Sequence, residues 1–157
     1  MPKVVGVITK GATFPGIVAW EDVENSIRYI GVRLFASSVS CTTGDAAGFI
    51  QIPPDLSGMD LVYAHLRLWT PGTTNTMDMQ LRRGRETNPT TIANVDMLST
   101  VVTVDSGEYG SHNAATAYVI NASNDDVLED DYIAIDIDAI HTTAAKGAVA
   151  FLGFQFP

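Results

Sequence analysis

The hydrophobic pattern is short apolar runs with a period of two, broken by turn residues. Leu61 to Trp69 alternates most clearly, with Val62, Ala64, Leu66 and Leu68 on one face and Leu61, Tyr63, His65, Arg67 and Trp69 on the other. Period-two alternation is what a half-buried strand requires. Tyr132 to Ile140 repeats it, with Ile133, Ile135 and Ile137 opposite Ala134, Asp136 and Asp138. Thr76 to Arg82 sets Met77, Met79 and Leu81 against Asp78, Gln80 and Arg82. Further strands are expected at Ile27 to Phe35, Gly48 to Ile52, Ser99 to Val104, Ala117 to Asn121 and Ala148 to Phe156. Thr91 to Leu98 is ambiguous, and a short helix is one reading of it.

The breaks carry turn chemistry. Pro53-Pro54, Pro71-Gly72, Asn88-Pro89 and Ser106-Gly107 end strands, and Gly84 marks another exit. Residues 107–116 read as a polar loop. Residues 1–26 read as an irregular N-terminal arm, because Gly6, Gly11, Pro15 and Gly16 interrupt every apolar run. Trp20 to Asn25 could close one helical turn there. Eight or nine strands with turns every ~8–12 residues predict an all-β, jelly-roll-like antiparallel β-sandwich over residues 27–157. No repeat or linker divides it.

Length and charge narrow the classes. The chain has 157 residues, which suits one domain with a core that needs no staple. Its net charge of −9 disfavours nucleic acid and anionic membrane surfaces as partners. Charged residues make up only 17 %, a surface composition that fits partial coverage by a partner. No window is long and apolar enough for a membrane span, and the N-terminus has no signal-like run, so synthesis in a cytoplasm is expected. Cys41 is the single cysteine and reads as a small core or loop residue.

Candidate chemistry is sparse. His65, His112 and His141 match no metal-binding spacing and read as three unrelated polar residues. No nucleophile elbow is present, and Ser106 reads as a turn residue. Asp136 and Asp138 share a strand face, which reads as solvated rather than as a carboxylate pair in a cleft. Asn124, Asp125, Asp126, Glu129, Asp130 and Asp131 form an oxygen-rich loop without calcium-loop order, read as a tight connection. Arg82, Arg83 and Arg85 form the basic cluster. They are expected to flank a turn, either solvated or docked on an acidic partner or phosphate. No phosphate-binding glycine motif occurs. Among the aromatics, Trp69 ends a strand and Tyr109 sits in the polar loop.

The C-terminal half carries a resemblance. The segments Val102-Thr103-Val104-Asp105-Ser106-Gly107, Val119-Ile120-Asn121 and Asn124-Asp125-Asp126-Val127 lead into Asp130-Asp131-Tyr132-Ile133-Ala134-Ile135-Asp136-Ile137-Asp138-Ala139-Ile140. Ala145-Lys146-Gly147-Ala148-Val149 follows. Together, over about residues 98–156, they resemble a module in structural proteins of tailed bacteriophages. The sequence departs from it at Ala148, where a leucine is common.

The resemblance implies a jelly-roll sandwich, commonly trimeric, in head decoration (cement) proteins or in fibre and receptor-binding tips. The first expectation is a decoration protein on the capsid surface of a virion, assembled in the host cytoplasm. It would be a homotrimer bound to the major capsid protein or other virion proteins, with no nucleic acid, membrane, cofactor, metal or catalytic residue involved. Arm residues Val4, Val5, Phe14, Ile17 and Trp20, with Val7, Ile8 and Val18, would bury against the shell. Arg82, Arg83, Arg85, Tyr109 and His112 are the other partner-binding candidates. The second expectation is a tail-tip module in which Tyr109, His112 and Asn113 bind surface carbohydrate. A depolymerase is the third and least supported.

Overall fold

The computed structural model describes residues 26–157. The arm, with Val4, Val5, Phe14, Ile17 and Trp20, lies outside the described residues, as does the helical turn expected at Trp20 to Asn25.

Ten strands make up nearly all the regular structure. They are β1 (Arg28–Ser40), β2 (Gly44–Gln51), β3 (Asp60–Thr70), β4 (Met77–Asn88), β5 (Thr91–Asp96), β6 (Leu98–Thr100), β7 (Val102–Val104), β8 (Val119–Ile120), β9 (Tyr132–Ala139) and β10 (Lys146–Gln155). Two single 3-10 turns, Pro54–Leu56 and Ser111–Asn113, interrupt them. Among the described residues no helix is long and apolar enough to cross a membrane.

The strands form an antiparallel sandwich. One sheet has the order β1-β10-β3 and the other β2-β9-β4-β5, with β7 on the first residues of β4 and β6 paired to β8. The core lies between them. Alternate residues of β3 (Ala64, Leu66, Leu68) and β10 (Ala148, Ala150, Leu152, Phe154) meet Met77, Met79 and Leu81 of β4 and Ile133, Ile135 and Ile137 of β9. All are buried, as sandwich packing of two inner faces requires.

Four local expectations are corrected. In β3, Leu61 is buried and Val62 is 37 % exposed, the reverse of strict alternation. A bulge causes this, because Gly153 pairs with Tyr63 while the next residue, Phe154, pairs with Leu61. Residues 91–96 are a strand, not a helix. They complete a hairpin with β4 through Pro89-Thr90, where Asn88 Oδ1 accepts from Thr90 N at 3.1 Å. Gly84 does not end β4 but sits inside it, between Tyr132 and Asn94 of the neighbouring strands. Ser99 to Val104 is not one strand, because its halves β6 and β7 pair with different partners.

Candidate functional site

The outward face of the three-stranded sheet is built in cross-strand rows. Registers β1·β10 and β10·β3 align Tyr29, Gly153 and Tyr63, then Gly31, Phe151 and His65, then Arg33, Val149 and Arg67. All point away from the core, since the intervening residues of β3 and β10 are buried. A Cβ on Gly153 would meet Tyr63, Ile27 and Tyr29 at 2.9–3.0 Å, so the missing side chain is what lets the two tyrosines close over the strand. Their rings meet edge to face at 5.6 Å. Phe151 stacks with His65 at 6.4 Å.

The free edge of β3 is capped by the loop after β7. Leu68 N donates to Tyr109 O at 2.8 Å, Leu66 N to Ser111 Oγ at 3.1 Å, and Ala64 N to Tyr118 Oη at 3.2 Å. This capping carries Tyr109 and His112 onto the outward face. Arg67 lies over the Tyr109 ring at 5.4 Å from its centre, and His112 packs 5.8 Å from His65. Ser111 Oγ is 2.8 Å from His65 Nδ1. That hydroxyl already accepts the Leu66 amide, and among the described residues no carboxylate orients His65. The pair therefore fastens the loop to β3. Burial, then His112, then Arg67, lowers the His65 pKa and favours the neutral ring.

At the Arg33–Arg67 end the face opens into a cleft of about 550 Å³, lined by Phe35, Trp69 and Val149 as well as Tyr109 and the two arginines. Trp69 is 72 % exposed there and Tyr109 50 %. Indole and phenol rings left in water beside guanidinium groups are typical of recognition surfaces.

The basic cluster has a different fate. Arg82, Arg83 and Arg85 lie within β4 and not at a turn. Arg82 Nε and Nη2 reach Asp136 at 3.1 and 3.2 Å. Arg83 pairs with Asp126, and Arg85 with Asp126 and Asp131. The oxygen-rich loop is thus the counterpart of the basic cluster. Asp136, expected on a solvated face, is buried, and it also accepts the Ala46 amide at 2.6 Å. Burial raises Asp126, but hydrogen bonds from Arg83 and Arg85 outweigh it and hold the carboxyl below its ordinary range.

His65 and His112 meet, while His141 is buried elsewhere against Gly72. Among the described residues no group of three or more histidine, cysteine or acidic side chains is placed to hold a metal. Of the expected partner residues, the structure brings Tyr109 and His112 to the aromatic face and places the three arginines in the other sheet. Arg33, Phe35, Arg67 and Val149 were not singled out from the sequence. The signal for Arg67 and Trp69 was present in the non-core phase of β3, whereas that for Arg33 needs the β1·β10 register.

No family model, curated protein or solved structure matches the chain.

Proposed function

We propose that this chain is a bacteriophage virion structural protein, a capsid decoration (cement) protein that binds the head shell as a homotrimer and stabilises it. The observation that carries the reading is the aromatic face. Ile27, Tyr29, Phe151 and Trp69 are exposed on one side of one sheet. Clustered apolar exposure of this kind marks a surface that a partner covers. The mechanism is geometric, in that burying this face against a neighbour adds interface area that opposes separation of shell subunits.

The strand order supports a jelly roll. β1 pairs with β10 and β2 with β9, so the first and last strands of the described residues wind together around the middle ones. Such nesting is what a double Greek key makes. A second reading, a tail-tip module that binds a host receptor or carbohydrate, is favoured by Trp69 and Tyr109 at an open cleft.

Co-sedimentation of the full chain with head shells stripped of it tests the first reading. Saturable binding in multiples of three per capsid site is expected, and Tyr29→Ser with Phe151→Ser should weaken it by at least about tenfold. Shells that retain none of the chain, or retain the double variant equally, contradict it.

A further inference from the structure

Of the six arginines in the chain, four are neutralised by aspartates. Arg28 pairs with Asp55, Arg82 with Asp136, Arg83 with Asp126, and Arg85 with Asp126 and Asp131. The two without a carboxylate partner among the described residues, Arg33 and Arg67, both line the cleft of the aromatic face. They flank Val149 from opposite sides in one cross-strand row. Their strands are therefore about 10 Å apart, two interstrand spacings. Among the described residues no acidic side chain lines the cleft. Among the described residues, a chain of net charge −9 thus leaves the guanidinium groups without a carboxylate partner at one place.

We infer that this cleft binds a carboxylate-bearing saccharide. Each guanidinium offers a planar fork that matches a carboxylate. The Tyr109 ring under Arg67 holds that fork in place, which lowers the entropy lost on binding. Trp69, Phe35 and Val149 supply flat apolar surface, which the C–H face of a pyranose ring covers and an aspartate or glutamate side chain does not. The cleft volume of about 550 Å³ falls within the range of small-ligand sites. The strongly acidic remainder of the molecule repels a dense polyanion such as a nucleic acid, so a ligand with one carboxylate per sugar fits better.

The inference goes beyond shell decoration and applies at either place on a virion. Its test reads glycan retention in the absence of shells, so the two can fail separately. The labelled full chain is applied to an array of uronate- and sialate-containing glycans and the same glycans with their carboxyl groups methyl-esterified. Retention is expected only on the free acids. Arg33→Gln and Arg67→Gln should each weaken it by about tenfold or more, and Trp69→Ala similarly. Thermal melts should stay close to the parent chain, because Arg33 and Arg67 form no ion pair among the described residues and the one ring contact, Arg67 on Tyr109, lies at the surface. Three results overturn the inference. No acidic glycan is held, the esters are held equally, or the Arg33→Gln/Arg67→Gln double variant still binds. A tetraglutamate peptide that binds where no glycan does assigns the cleft to an acidic protein segment instead. So does a change of oligomeric state in the double variant without any glycan retention, which assigns it to a second copy of the chain.

Discussion

Asp131 holds Arg85 through both carboxylate oxygens, with Arg85 Nε 2.9 Å from Oδ1 and Nη2 2.6 Å from Oδ2. The hydrogen bonds that Arg85 donates to Asp131 raise its pKa against the opposing effect of burial, and those to Asp126 add to it. Asp131 is almost wholly buried, and Oδ2 also accepts the Leu128 amide at 2.9 Å. The loop before β9 is thereby tied to β4. Removing Asp131 leaves Arg85 with Asp126 alone and strips the Leu128 amide of its acceptor. Asp131→Ala should lower unfolding free energy by about 3 kcal/mol. That corresponds to a melting temperature lower by roughly 6–12 °C for a chain of this size, read by calorimetry. Arg28→Ala, at the exposed Asp55 pair, should cost less than about 1 kcal/mol.

Tyr132 crosses Gly84 on the outer face of the other sheet. A Cβ on Gly84 would overlap the Tyr132 ring and its hydroxyl, and the phenol donates to Asn94 Oδ1 at 2.8 Å. Gly84→Ala must displace that ring and break its hydrogen bond. A loss of about 1–3 kcal/mol is expected from denaturant unfolding. Gly84→Ala should cost less when Tyr132→Ala is already present than in the parent chain, since the clash disappears.

Asp138 lies where burial, then Asp136, Asp96, Asp78 and Asp45, raise its pKa. The folded state then binds this proton more tightly than the unfolded chain does. Ionised Asp138 therefore destabilises the fold above its raised pKa, and the penalty fades as pH falls through it. Asp126 runs the other way, since its lowered pKa gives stability above the unfolded value that is lost in acid. Asp138→Asn should raise the melting temperature at pH 7 and give no gain near pH 3. An equal gain at both pH values would contradict the electrostatic account.

Cys41 is 1 % exposed, and burial pushes its thiol up to about 11. The thiolate is the reactive form, so the folded chain should resist alkylation at pH 8 and react once unfolded in guanidinium. Mass spectrometry after a timed iodoacetamide pulse reads the difference.

Much of the sandwich was legible in the sequence because strand faces repeat every two residues. The phases of Met77, Met79 and Leu81, and of Ile133, Ile135 and Ile137, matched their burial. Sequence spacing failed where pairing across strands decides the outcome. Only the bulge opposite Gly153 and Phe154 turns Leu61 inward. Arg83 continues the inward phase of Leu81, a place where a charge is expensive. It is tolerated because Asp126, 43 residues later, comes to meet it. Gly84 looked like punctuation and is instead a groove for Tyr132. The candidate site was legible in part. Tyr109 and His112 were visible as polar-loop residues, but their meeting with Arg67 and His65 depends on backbone capping of β3 by that loop.

Cryo-electron microscopy of intact particles carrying this chain tests the proposed role most directly. The account predicts one trimer at each three-fold or quasi-three-fold site of the head shell, with the Tyr29, Tyr63 and Phe151 face turned against a neighbouring subunit. Density confined to the tail tip, or particles without the chain, would contradict it.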